Sequence, residues 1–165
     1  MPDLIVHSIA GYLLTPMRWR SKVLLSTFLL GCIFPDLVRG PLLILSNLSQ
    51  MLDIQPFKVS DLPSIQILHS PIPLLIQAWL FSFMFKKGLR LKIFLNFFSG
   101  IALHLLLDAG QRAYHLSYFW LFPFSFDNPV RGIWWSDDSL WLTLSFGFMG
   151  ALVFTYRYLA QMRSR

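Results

Sequence analysis

His104 and Asp108 close an apolar run, Ile93 to Leu107, as a His-x-x-x-Asp pair. On a helix, residues four apart share one face. A neutral imidazole beside a carboxylate offers nitrogen and oxygen to a metal such as zinc. The same two groups can instead satisfy one another through a hydrogen bond. Next to so apolar a segment, either group is costly without a partner, so a polar neighbour or a cation belongs there.

Three more residues of ligand type sit where apolar runs begin or end. Asp36 follows Pro35 and precedes Gly40-Pro41, a context that also suits a turn. His69 precedes Ser70-Pro71, a helix-start pattern with Ser as N-cap and Pro in the first turn. His7 lies in the first apolar run, Leu4 to Leu14, where it could equally be a surface residue of an amphipathic helix. His115 stands eleven residues past His104. On a continuous helix that is about 16 Å further along, so it reads as a surface residue unless Gly110 breaks the helix. Asp137-Asp138 ahead of Ser139 reads as a helix N-terminus, where the helix dipole favours negative charge.

The elements that must position these residues are apolar helices. The 165-residue chain is 55% hydrophobic and 13% charged, with 16 Phe and a mean hydropathy of +0.56, which is too apolar for an ordinary soluble domain of this size. Beyond the first run, four more stand out: Val23–Val38, Ile65–Phe85, Ile93–Leu107 and Leu140–Tyr156. Their lengths are near the roughly 20 residues that a bilayer span requires. The expected fold is therefore all-α: a single membrane-embedded bundle of about four transmembrane helices plus a short N-terminal helix. Cys32, the one cysteine, lies inside an apolar run and reads as a packing residue.

Basic residues gather at Arg18–Lys22, Lys86–Lys92 and Arg157–Arg165. If the runs alternate in direction, these clusters share one side, which the positive-inside rule makes cytoplasmic. The net charge of +6 is thus an orientation signal, and nucleic acid is not an expected partner. Trp120, Trp134, Trp135 and Trp141 fall toward the opposite ends, as an interfacial aromatic belt would. On the same alternation, His7, Asp36, His69, His104 and Asp108 all fall at the outer ends. If they form one site, the polar atoms of Asp36, His69, His104 and Asp108 should lie within roughly 6 Å of one another. The segment Asn47–Ser64 reads as an outer loop.

The ordered set His7-x-x-x-Gly11, Gly31 with Pro35-Asp36, His69-Ser70, Gly100-x-x-x-His104-x-x-x-Asp108 and Leu121-Phe122-Pro123 resembles the bacterial membrane-bound metal-dependent hydrolase family. That family is related to the zinc-dependent phospholipases C and the single-strand-specific zinc nucleases. The resemblance covers about residues 1 to 125. It implies that His7, Asp36, His69, His104 and Asp108 contribute to a metal centre in a bacterial inner membrane, open to the extracytoplasmic side. The chain departs from the pattern at Val38, where a second acid is frequent, at Ser64–Ile67, where a His-Arg-Gly stretch is frequent, and in having no Glu. Asp36, His69, His104 and Asp108 then suffice for one four-coordinate site, with His7 beside a second ion.

The chemistry implied is hydrolysis of a phosphoester or lipid-linked substrate through water activated by a divalent metal, with zinc the best match to two His and two Asp. Membrane lipid is the expected partner, and Arg39, Arg112 or Arg131 would suit a phosphate. The rival reading is a non-enzymatic membrane protein with a structural metal site or a buried His/Asp network. A transporter ranks third, because it needs ionisable residues through the membrane depth and here they sit at one end. Internal repeats, a P-loop, a Gly-x-Gly-x-x-Gly and a Gly-x-Ser-x-Gly elbow are absent.

Overall fold

The structure, a computed structural model, describes residues 4–15, 22–51, 67–110, 119–127, 132 and 139–163. Among these residues the architecture is all-α, with no strand. Five helices follow in order: α1 (Leu4–Leu14), α2 (Lys22–Met51), α3 (Pro71–Ser82), α4 (Arg90–Ala109) and α5 (Ser139–Arg163). A short 3-10 turn, Lys87–Leu89, leads into α4.

Glycine sets how closely the first helices pack. A Cβ on Gly31 would overlap the Phe97 carbonyl oxygen, and one on Gly100 would overlap that of Phe28. The backbones of α2 and α4 therefore touch, as small residues permit at helix crossings. A Cβ on Gly11 would come within 2.7 Å of Cys32 Sγ, so α1 packs almost as closely on α2. Leu74 and Ala78 of α3 meet Phe97, Ile101 and Leu105 of α4 in the buried core. Phe97 stacks on Phe81 with ring centroids 4.3 Å apart and meets Phe34 edge-on.

These contacts fix the helix directions. Gly31 meets Phe97, and Asp36 further along α2 meets His104 further along α4, so α2 and α4 run parallel. His7 lies by Asp36, and Gly11 lies by Cys32, so α1 runs the opposite way. His69 at the head of α3 reaches Asp108 at the tail of α4, so α3 and α4 form an antiparallel hairpin. Ile9 meets Gly150, and Thr15 meets Arg157, so α5 runs with α1. Arg157 holds this last contact. Its guanidinium donates to the carbonyls of Tyr12, Leu13 and Thr15 and to the Thr15 hydroxyl, and lies 4.7 Å over the Tyr12 ring. A cation there satisfies the terminal carbonyls of α1 and complements its dipole.

The expected alternation of direction is present among the described helices. Two helices, Lys87–Ala109 and Leu140–Met162, are long and apolar enough to cross a membrane. α3 begins at Pro71 and ends at Ser82, 12 residues or about 18 Å. α1 has 11 residues. α2 has 30 residues, but Asp36 and Arg39 interrupt its apolar pattern near the middle. It also continues through Pro35 and Pro41 to Met51, so Asn47–Met51 is helix and not loop, and Gly40-Pro41 is no turn. The rest of the expected loop, 52–64, lies outside the described residues, as do His115, Arg112, Arg131, Trp134, Trp135, Asp137 and Asp138.

Candidate metal centre

His104 and Asp108 occupy the last two turns of α4 and are both buried. The His104 Nε2 atom lies 3.2 Å from Asp108 Oδ2, the side-by-side arrangement that their spacing predicts. His104 Nδ1 donates a hydrogen bond of 2.8 Å to the carbonyl oxygen of Cys32 on α2. That bond needs the proton on Nδ1, which leaves the Nε2 lone pair facing the Asp108 carboxylate in a neutral ring. Two lone pairs at that distance repel unless a proton or a metal cation lies between them. A backbone carbonyl in this position is the outer-shell partner that orients a ligating imidazole.

Three other elements bring their side chains to the same point. Ser70 is the N-cap of α3 and Pro71 its first residue, as the sequence pattern indicates, although the Ser70 side chain makes no capping bond. This start places His69 so that its Nε2 lies 2.9 Å from Asp108 Oδ2 and 3.4 Å from His104 Nε2. His7, in the first turns of α1, stacks on His104 with ring centroids 3.8 Å apart. Its Nε2 lies 3.5 Å from Asp108 Oδ1. Asp36, beside Pro35 in α2, sets Oδ2 3.9 Å from His7 Nε2 and Oδ1 3.9 Å from His104 Nε2.

The five residues come together in groups of three whose ligand-type atoms lie within 4.8 Å of one another. They form two trios that share His104: His7, Asp36 and His104, and His69, His104 and Asp108. Zinc bonds of 2.0–2.2 Å in a tetrahedron place ligand atoms about 3.3–3.6 Å apart. The observed separations, 2.9 to 3.9 Å, bracket that value.

His7 gives the sharpest indication. Its ring is fully buried; Nδ1 makes no hydrogen bond, and Nε2 has only the long 3.5 Å approach to Asp108 Oδ1. A buried polar group without a partner is costly, and native structures rarely leave one. A cation held among His7, Asp36 and His104 would give His7 Nε2 a close partner. Burial is uneven around the cluster: the His7, His69, His104 and Asp108 side chains are 0–2% exposed and that of Asp36 is 19% exposed. The Asp36 side is thus the side nearest the surroundings.

The motif glycines acquire a physical meaning here. Gly11, Gly31 and Gly100 are the close-contact points that let three helices bring His7, Asp36 and His104 together. The Cys32 carbonyl was not legible as a site group, because a main-chain oxygen leaves no side-chain signature. Leu121-Phe122-Pro123 forms a turn in which the Phe124 N–H donates to the Leu121 carbonyl; it adds no ligating atom, while the adjacent Trp120 packs on the core. Comparison with protein-family models, with curated proteins and with solved structures finds no match for this chain.

Proposed function

We propose that the chain is a membrane-embedded, metal-dependent hydrolase. His7, Asp36, His69, His104 and Asp108 hold a divalent cation, zinc by the chemistry of the donors. The observation that carries this reading is the buried His7 ring, with no close hydrogen bond, stacked on a second imidazole that a backbone carbonyl orients toward two carboxylates. The resemblance of the ordered motifs to membrane-bound metal-dependent hydrolases points the same way.

A bound zinc ion supplies Lewis acidity toward a phosphoester oxygen and toward water. The side chains supply the rest. The Cys32 carbonyl holds His104 in one tautomer and one orientation. Asp108 turns one oxygen to His7 and the other to His69 and His104, so it fastens α1, α3 and α4 together. Asp36, longer in its contacts and nearer the surface, is placed to accept a proton from a water entering on its side. In this reading Lys87–Ala109 and Leu140–Met162 cross the bilayer and α1, α2 and α3 complete the bundle. The substrate is a phosphoester or lipid-linked molecule at the extracytoplasmic face of a bacterial inner membrane.

The near-complete burial of four of the five side chains favours a second reading, a closed structural metal site or a His/Asp network without catalysis. Metal analysis of detergent-purified protein tests the shared premise. About one or more equivalents of zinc, lost in His104→Ala, supports a metal centre; wild-type protein without divalent metal even after loading defeats it. Hydrolysis across a phosphoester and phospholipid panel then separates catalyst from structural site.

A further inference from the structure

At the end of the bundle away from the metal centre, the α3–α4 hairpin carries a second chemical pattern. The sequence from Phe83 to Lys92 alternates apolar and basic residues, Phe-Met-Phe-Lys-Lys-Gly-Leu-Arg-Leu-Lys. Lys86, Lys87 and Lys92 are exposed. So are large apolar side chains among them, Met84 at 79% and Leu91 at 69%, with Phe83 and Leu89 alongside. Arg90 differs from its neighbours. Its Nε donates to the Phe85 carbonyl, and its guanidinium lies 4.8 Å over the Phe83 ring. Arg90 thus ties the turn shut, while the three lysines project from it.

Among the described residues no carboxylate forms an ion pair with these lysines; every ion pair found lies in the His/Asp cluster. His104 stands fourteen residues past Arg90, so that cluster is about 21 Å away. The distance exceeds the Debye length of about 8 Å at physiological ionic strength, so the cluster does not compensate the field of the hairpin. Exposed lysines interleaved with exposed Phe, Met and Leu are suited to one environment. The apolar side chains enter the acyl boundary while the ammonium groups remain at the level of the headgroups.

Resting on the membrane reading above, we infer that the Phe83–Lys92 hairpin is a docking surface for anionic phospholipid headgroups. Charge complementarity selects the partner. Lysine ammonium groups attract a phosphate with net negative charge and gain little from a zwitterionic headgroup. An anionic leaflet attracts each nearby Lys or Arg enough to change affinity about fivefold.

The test uses the 165-residue chain purified in a neutral detergent. Phosphatidylglycerol and phosphatidylcholine are titrated separately, and bound lipid is counted by native mass spectrometry at low and high salt. The wild type is expected to prefer phosphatidylglycerol, and the preference to shrink with salt. Lys86→Gln, Lys87→Gln and Lys92→Gln combined should weaken phosphatidylglycerol binding on the order of a hundredfold. The same variant should keep wild-type melting and metal content, since these lysines contact neither core nor site. Equal phosphatidylglycerol binding by wild type and triple variant, or no preference in a detergent-requiring wild type, overturns the docking surface alone. A wild type that is monodisperse without detergent and takes up neither lipid overturns it together with the membrane reading.

Discussion

Each residue of the His/Asp cluster has a distinct position, and so a distinct expected phenotype. His104 is common to both trios and is oriented from α2, so His104→Ala should lower metal affinity by more than the roughly 10–100-fold that outer-shell changes cost. Asp108 offers one oxygen to His7 and the other to His69 and His104, so Asp108→Ala should do the same. Asp36 stands 3.9 Å from its nearest histidine nitrogens and is the least buried member. Asp36→Asn is therefore expected to retain most of the metal, with a loss near tenfold or less, while hydrolysis falls far more steeply. Metal titration with a chromophoric chelator, read beside turnover, checks the difference; Asp36→Asn that loses metal as fully as His104→Ala would make Asp36 a principal ligand instead. Cys32→Ala separates the thiol from the carbonyl. It keeps the main-chain acceptor of the His104 Nδ1 proton, so metal content should match the wild type.

At the scale of elements, glycine decides whether the site assembles. At Gly31 and Gly100 an added Cβ meets a backbone carbonyl, which no rotamer change can move aside. Gly100→Ala should therefore force α2 and α4 apart, at a cost of about 1–3 kcal/mol, and should loosen metal binding although the residue has no ligating atom. Gly147→Ala is the matched control. Its Cβ would enter open space, so α5 should be unchanged or gain up to about 1 kcal/mol of helix propensity. Melting in detergent, with and without chelator, reads both; an unchanged Gly100→Ala melt would contradict the contact. This division also explains what the sequence makes legible. His7, Asp36, His69, His104 and Asp108 stand out because polar residues at the ends of apolar runs have few other reasons to be there. The starts of α3 and α4 follow from Ser70-Pro71 and from the Lys86–Lys92 break. The length of α2 does not follow, because Pro35, Gly40 and Pro41 are local breakers that the packing of α2 along α4 overrides. The shortness of α3 was equally hidden: Phe83–Phe85 are as apolar as the helix before them, yet turn back toward Arg90.

For the whole molecule, helix directions and charge combine into one polarity. Lys22 opens α2, the Lys86–Lys92 turn opens α4, and Arg157 and Arg163 close α5, so these basic residues lie at one end, with Arg39 of α2 apart from them. Asp36 stands fourteen residues along α2 from Lys22, and His104 fourteen along α4 from Arg90, which puts the cluster about 21 Å from that end on both helices. Exposure agrees with an apolar solvent around the bundle: the apolar window of α5 has no buried residue, and Trp141, Phe148 and Phe154 face outward. A basic end is retained on the cytoplasmic side, so on the membrane reading the His/Asp cluster is expected to face the other. Single cysteines on a Cys32→Ala background make this measurable. Gly88→Cys, in the exposed hairpin, should resist a membrane-impermeant maleimide in intact cells and react once the membrane is permeabilised. Asp53→Cys follows the α2 end that extends past the cluster, so it should react in intact cells. Reaction at Gly88→Cys with protection at Asp53→Cys would invert the protein and place the His/Asp cluster on the cytoplasmic face. Equal reaction at both in cells of intact membrane, with the protein in the soluble fraction, would remove the bilayer from the account and leave the metal centre to be judged on its own.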